Sequence, residues 1–346
     1  MAFRDLVGHR RQMGLLARAI TAGTLPPSLV LSGPEGIGKR QVATAVAQAL
    51  NCLSPVDDAA HGWRDACGSC ASCSRIARRI HPDLLTVEPG DSGSIKIEPI
   101  RELIGRMAYR PYEGQYRVVV IDAADQMTGD AQDAMLKTLE EPPARTILVL
   151  IAVQPNDLVP TIRSRCCHVR FAPLAPQDVA TALVERHRMS DRDAHAAAAL
   201  SGGSFRRALD ASTIDTVEAR AVALAILQGA ARASDPRARL ALGSALLEAM
   251  PGKSKGKTQS GAARDALAVR LGIMASLLRD VSVLSVRASE TALVNLDLRP
   301  DLERLAGDYD RARLERAFSA VGRSLAAVER QNASPKIVVD WLAFQL

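Results

Sequence analysis

Aromatic side chains are scarce in this chain: five Phe, four Tyr and two Trp, or 3% of 346 residues. So few ring platforms argue against single-stranded nucleic-acid binding by base stacking. Long apolar runs are also missing. The longest are Val118–Ile121 and Ile147–Val153, far short of the ~20 residues needed to cross a bilayer. The opening Met1-Ala2-Phe3-Arg4-Asp5-Leu6 carries an acid and no apolar stretch, so no secretory signal is expected. Several catalytic signatures are absent as well: there is no His-Glu-x-x-His, no serine nucleophile elbow and no paired-carboxylate arrangement. Hydrophobic residues at 47% and charged residues at 24% exclude wholesale disorder and a fibrous repeat. A soluble intracellular protein is the expectation.

The length suggests two or three domains at roughly 150 residues each. Net charge is 44 − 38 = +6, a modest excess that a solvated Arg-rich surface explains. Arg101, Arg106 and Arg110 recur in one helical region and could meet DNA phosphates, but plain surface is the preferred account. Of six cysteines, four cluster at Cys52, Cys67, Cys70 and Cys73, while Cys166 and Cys167 are adjacent. Such clustering in a chain of this size argues for metal over disulfides. Four thiolates close a tetrahedral Zn²⁺ shell with no open position, so a structural site is expected. It would stabilise the insert from Leu53 to Ser72, with His61 a possible substitute for Cys52. Cys166 and Cys167 read as small buried residues.

Along the first half, strand-like and helix-like segments alternate. Ser28–Ser32 reads as a short buried strand, and Val42, Ala45, Val46, Ala49 and Leu50 share one face of the helix after it. Another helix opens at Ile100, a second strand covers Val118–Ile121, and Ala131–Leu139 is a helix ended by Pro142-Pro143. A third strand covers Thr146–Val153. Continuous apolar strands separated by helices indicate a parallel sheet covered on both faces. From about Pro173 the strands disappear, and Asp178–His187, Arg192–Leu200 and Phe205–Asp210 suggest a small helical domain before further Ala-rich helices. The one low-complexity stretch, Pro251–Gly261, carries Lys253, Lys255 and Lys257 and reads as a linker between helices.

Gly33-Pro34-Glu35-Gly36-Ile37-Gly38-Lys39 follows the first strand and opens a helix, which is the context of a P-loop. Gly33, Gly36 and Gly38 let backbone N–H groups turn toward an oxyanion, and Lys39 neutralises terminal phosphates. The next position should be Ser or Thr, whose hydroxyl holds Mg²⁺, but it is Arg40, which cannot accept a metal and adds a repelling charge. Asp122 ends the second strand where a metal-binding carboxylate belongs, and Ala123 follows it. Two parts of a hydrolytic site are therefore missing.

Met135-Leu136-Lys137-Thr138-Leu139-Glu140-Glu141-Pro142-Pro143 and Thr161-Ile162-Arg163-Ser164-Arg165-Cys166 together resemble the clamp-loader branch of the AAA+ proteins. The cysteine insert after the P-loop helix narrows the resemblance to the γ/τ and δ′ group of bacterial DNA polymerase III. Asn332–Ile337 resembles the end of that family's collar. The resemblance implies an α/β plus all-α chain: a RecA-like AAA+ parallel-sheet domain over 1–172 with a zinc-binding insert at about 51–80, a helical lid over 173–211, and a helical collar over 212–346.

In that family a glutamate commonly follows the strand acid; Ala123 stands there, and Val153 replaces a polar phosphate sensor. These departures favour the δ′ type, with an active γ/τ-like motor as the alternative. The resemblance implies that Arg165 reaches the γ-phosphate of ATP on a neighbouring subunit and that Arg207 matches a lid arginine that senses nucleotide. It also implies γ/τ and δ partners in a hetero-pentamer, a sliding clamp, primer–template DNA, and no membrane. The four cysteines match its zinc module. No autonomous ATP hydrolysis is expected, and ATP binding without hydrolysis stays open.

Overall fold

The structure is a computed structural model that describes residues 2–58, 62–90, 92–212, 216–233, 235–248, 259–286, 293, 295, 298–330 and 333–346. His61, Lys253, Lys255, Lys257 and Asn332 lie outside the described residues. Contacts divide the chain into two compact units, one comprising residues up to Ala182 with Gly203–Phe205, the other Leu183–Gly202 with Arg206–Leu346.

The first unit runs α1 (Arg10–Thr21), β1 (Ser28–Ser32), α2 (Lys39–Asn51), β2 (Val56–Asp58), β3 (Trp63–Asp65), α3 (Ala71–Ala77), β4 (Leu84–Val87) and α4 (Ile97–Met107). It continues with β5 (Arg117–Ile121), α5 (Gly129–Glu140), β6 (Thr146–Ala152), α6 (Pro160–Arg165), β7 (Cys167–Arg170) and the start of α7 (Pro176–His187). Five strands form a parallel sheet in the order β4-β5-β6-β1-β7, and β2 and β3 form a separate antiparallel pair. This is the expected α/β architecture, and the buried strands β1, β5 and β6 are the three legible in the sequence.

Four strands were not anticipated: the antiparallel pair β2 and β3, and, in the five-stranded sheet, its two edges β4 and β7. β7 is mostly exposed and reads Cys-His-Val-Arg, and β4 buries only Leu85. An edge strand is covered on fewer sides, so no continuous apolar run announces it. Helix α4 also begins three residues before Ile100, because Pro99 falls in its first turn, where a missing N–H costs nothing. Leu148, Leu150, Val119, Ile121, Ile100, Leu103, Met107 and Met135 form the core between sheet and helices.

One buried ion pair ties the β4–β5 side together. Asp83, fully buried, accepts hydrogen bonds from the backbone N–H groups of Tyr112, Glu113 and Gly114 at 2.7–2.9 Å and pairs with Arg117 at 3.2 Å. Arg117 donates in turn to the carbonyls of Arg106, Tyr109 and Arg110, closing the end of α4 and the loop after it.

The second unit holds α8 (Asp191–Leu200), α9 (Phe205–Ser212), α10 (Thr216–Arg232), α11 (Pro236–Glu248), α12 (Gln259–Ser285), α13 (Arg299–Asp308), α14 (Arg311–Arg330) and α15 (Pro335–Gln345). Its core is built on Leu227, Leu271, Met274, Leu277, Leu302, Val321, Val339 and Leu342. Arg313 stacks on Tyr309 at 4.9 Å and donates to the carbonyls of Ala230 and Ala231 at the end of α10. One face of α15 stays outside this core: Ile337, Trp341 and Phe344, at i, i+4 and i+7, are exposed.

Burial alone would raise the Asp83 pKa, but three backbone N–H groups and Arg117 outweigh it and hold the carboxyl below its ordinary 3.8. Its stabilisation is therefore full above about pH 4 and fades as pH falls toward the depressed value. Asp83→Ala strands the Arg117 charge and is expected to cost about 3–5 kcal/mol at pH 7 by urea denaturation. The gap between variant and wild type should narrow below about pH 3.9; a variant as stable as wild type at pH 7 refutes the pairing.

Candidate nucleotide pocket and metal centre

Parallel pairing puts the carboxyl ends of the central strands on one edge. Ser32 of β1 lies beside Ala152 of β6, and Ile121 of β5 beside Leu150. The segments that leave this edge, from Gly33, Asp122 and Val153, converge where open α/β sheets hold ligands. Gly33 N–H donates to the Ala152 carbonyl at 3.2 Å, and its φ is +145°. A Cβ there would lie 2.2 Å from the Phe171 carbonyl oxygen, so only glycine fits. Gly38, at φ +98°, caps α2, and Gly36 also has positive φ. The loop thus takes positive φ at all three glycines.

The charged groups of this loop are turned on the protein itself. Lys39 is buried and donates through Nζ to the Gly33 and Pro34 carbonyls, both at 2.6 Å. Burial lowers its pKa, against the opposing fields of Asp125, Glu35 and Asp122. Arg40 Nη1 lies 3.3 Å from Asp122 Oδ2, and Nη2 pairs with Glu88 just beyond β4. Arg40 is therefore not a repelling charge left in the pocket; its own carboxylates compensate it. Ala123 adopts φ +51° immediately after Asp122.

Three groups had not been assigned from sequence, and two of them, Asp125 and His9, lie at this edge. Asp125 accepts from the N–H groups of Val153 and Gln154 at 3.0 and 3.1 Å, fixing the loop after β6. The acidic end of Asp122-Ala-Ala-Asp125 was the available signal. His9, at φ +52°, places Nε2 3.1 Å from the Ile37 carbonyl and its ring edge-on to Phe171 at 4.9 Å. Burial lowers the His9 pKa. Glu140, inside the motif before Pro142, pairs with Arg165.

Arg165 is the last residue of α6, one-third exposed, and also donates to the Thr161 carbonyl at 3.0 Å. Arg207 lies in the second unit, half-buried on α9. Arg101, Arg106 and Arg110 are exposed on α4 and the loop after it. Cys166 is buried, with its thiol pushed up to about 11 by burial and the neighbouring Cys167, whereas Cys167 is exposed on β7. The expectation of burial is corrected for Cys167, because the outer position on an edge strand faces out.

The four clustered cysteines meet. Cys52, Cys67, Cys70 and Cys73 place their sulfur atoms within 4.8 Å of one another. Zn–S bonds of ~2.3 Å in a tetrahedron set sulfurs about 3.8 Å apart, so a small contraction closes a shell. Backbone N–H groups already point at the sulfurs: Cys67 N to Cys52 Sγ at 3.2 Å, Cys70 N to Cys67 Sγ at 3.3 Å, and Cys73 N to Cys70 Sγ at 3.4 Å. This donor set fits a metal that prefers thiolate.

The cluster has little apolar support, with only Ala2, Cys52, Ala66 and Cys73 buried in it. Polar ties hold the rest. Asp65 accepts from the N–H groups of Phe3, Arg4 and Ala66, and Arg4 donates to the Ala66 and Cys67 carbonyls. Trp63 receives Arg18 of α1 over its ring at 5.7 Å. Gln48 of α2 donates to the Cys73 carbonyl at 2.7 Å, and Cys52 ends the helix that Gly38 begins. One helix of roughly 20 Å therefore spans from the phosphate loop to the cysteines.

N–H donation from Cys70 leads the shift of the Cys67 thiol down to about 6, while burial raises Cys73 above its ordinary value. In chelator-treated protein at pH 7.5, iodoacetamide should label Cys67 first and Cys73 last by peptide mass spectrometry. The Cys67 rate should fall as pH drops through about 6. Equal rates at both cysteines contradict the geometry.

Comparison with known proteins places these features. Residues 8–175 match the family described as DNA polymerase III, delta subunit. Delta′ subunits of DNA polymerase III from Pseudomonas aeruginosa and Bacillus subtilis are 39% and 37% identical over 179 and 176 residues, covering 51% of this chain in each case and 52% and 51% of theirs. The gamma/tau subunit of Mycobacterium bovis is 33% identical over 176 residues, covering 51% of this chain and 29% of its own. The chain thus spans about half the length of the delta′ relatives and less of the longer gamma/tau one. Residues 8–175, which carry the glycine loop and the parallel sheet, are thus similar to the DNA polymerase III delta-subunit family.

Proposed function

We propose that this chain is a δ′-type clamp-loader subunit: a AAA+ module without hydrolytic chemistry of its own that serves the ATP site of a neighbour. The observation that carries this is the state of the pocket. Phosphoryl transfer needs a neutralising metal and a positioned nucleophile. Here Arg40 stands in place of the metal-holding hydroxyl and Ala123 in place of the glutamate, and Lys39 is spent on its own loop carbonyls. Retention of Gly33, Gly36, Gly38 and Lys39, and the likeness to gamma/tau subunits, favour a second reading, an active motor.

In the δ′ reading, the chain is organised as a RecA-like part over 1–172, a lid over 173–211 and a collar over 212–346. Arg165 is the group offered outward. Its planar guanidinium would neutralise charge on the γ-phosphate of ATP held next door, after exchanging Glu140 for that phosphate. A trans arginine is worth about 10³–10⁵ in rate in other P-loop systems. Asp122 and Arg207 keep the positions of nucleotide-contacting groups without a hydrolytic role.

Cys52, Cys67, Cys70 and Cys73 would hold one structural Zn²⁺, supported by their sulfur spacing and the N–H···S bonds. When bound, the ion supplies cross-linking of an insert with almost no core. The exposed stripe Ile337, Trp341 and Phe344 suits a collar that packs on other loader subunits, γ/τ and δ, in a hetero-pentamer. The assembly would open a sliding clamp on primer–template DNA at the cytoplasmic replisome.

Reconstitution with candidate γ/τ and δ subunits tests this. The isolated chain should hydrolyse no ATP, and Arg165→Ala should lower the DNA-stimulated ATPase of the assembled loader at least a hundredfold per affected site. Brisk hydrolysis by the chain alone selects the motor reading, and full loader activity with Arg165→Ala removes the trans role. Ile337→Asp should weaken co-assembly about 10–100-fold in analytical ultracentrifugation, as expected for losing one buried aliphatic contact of ~1.5–3 kcal/mol; unchanged assembly excludes that face.

A further inference from the structure

In hydrolysing P-loop proteins, a helix hydroxyl and a strand carboxylate hold Mg²⁺ beside the phosphates. This chain brings two carboxylates to that place. Glu88 follows β4 and Asp122 follows β5, and the last paired residues of those strands are Val87 and Ile121. Both acids therefore leave the sheet side by side. The Arg40 guanidinium reaches both, with Asp122 at 3.3 Å, and Arg79 adds a second contact to Glu88 at 3.3 Å.

Within this set, two carboxylates are matched by two guanidiniums, so neither Asp122 nor Glu88 stands as an open carboxylate for a divalent ion. Mg²⁺ also demands a near-octahedral shell of oxygens at about 2.1 Å. A guanidinium provides only donors, and it cannot be titrated away at any physiological pH. Arg40 carries its charge on a tethered stem, so its position costs no ion capture.

We propose that Arg40 is a built-in cation occupying the divalent-metal position between Asp122 and Glu88, and that it closes this pocket to Mg²⁺. The proposal rests on residues 33–39 being a nucleotide loop, but not on membership of a clamp loader. Metal exclusion is then a property of one side chain, and it is reversible. Replacing Arg40 by Thr removes the resident charge, frees Asp122 and restores a hydroxyl at the helix position.

The test uses the isolated full chain with Mn²⁺ as probe, read by the electron paramagnetic resonance signal of the free ion, with and without ATP. A fluorescent ATP analogue gives affinity in parallel. Wild type should leave the Mn²⁺ signal at the level of a protein-free control holding the same ATP, and Mn²⁺ should not improve its affinity for the analogue. Arg40→Thr should take up Mn²⁺ in the presence of ATP and bind the analogue at least tenfold tighter with Mn²⁺ than without. Arg40→Gln, which keeps the stem and loses the charge, should also take up Mn²⁺, and adding Asp122→Asn should abolish uptake in either background. Circular dichroism melts establish that each variant is folded.

Mn²⁺-dependent nucleotide binding by wild type overturns the proposal, whatever the variants do. So does a folded Arg40→Thr variant that gains no metal dependence. Absence of analogue binding in every protein, with and without metal, refutes the nucleotide loop itself and is distinct from both. Loader assembly and the Arg165 assays are unaffected by any of these results.

Discussion

Parallel register is the constraint on which the rest of the first unit depends. Because β1, β5 and β6 are paired in phase, the segments leaving their carboxyl ends meet at one edge. Gly33 then packs so tightly on Phe171 that no side chain fits, Asp125 pins the loop after β6, and Asp122 comes within reach of Arg40. A slip of one residue in any strand would reverse its side chains and dissolve all of these contacts.

The charged groups at the same edge are turned on the protein itself. Lys39 satisfies its donors on loop carbonyls, and Arg40, Arg79, Glu88 and Asp122 form a closed set of charges. Buried charges are tolerated only when paired and hydrogen-bonded. A pocket that meets this condition internally gains less from a bound phosphate than one with a free lysine and an open carboxylate. Arg165 and Glu140 form a pair exposed to the same degree as Arg40 and Glu88, so solvent competes with both.

The cysteine insert follows a different logic. The hydrophobic cluster around the cysteines, Ala2, Cys52, Ala66 and Cys73 among the described residues, is too small to offset the entropy of ordering the loop by burial alone. Backbone donors aimed at sulfur and the grip of Asp65 on Phe3 and Arg4 hold the cluster together, and a metal bound by the four sulfurs would add a further cross-link. Helix α2 is common to both features, so the insert stabilises the far end of the helix that opens the phosphate loop.

The sequence by itself determined whatever is encoded by spacing along the chain. Apolar runs marked β1, β5 and β6, glycines marked the tight loop after β1, and cysteine spacing marked the four-sulfur cluster. Absent groups were legible too: no hydroxyl at Arg40 and no glutamate at Ala123. Short-range sterics and burial write such features into local order. Only the tertiary structure decided what lies through space: that β4 and β7 exist as edges, that Arg40 is paired rather than repelling, and that Arg165 rests on Glu140. Charge partners distant in the chain are chosen by strand order and register, and an exposed edge strand needs no apolar run, so neither leaves a periodic mark in the residues themselves.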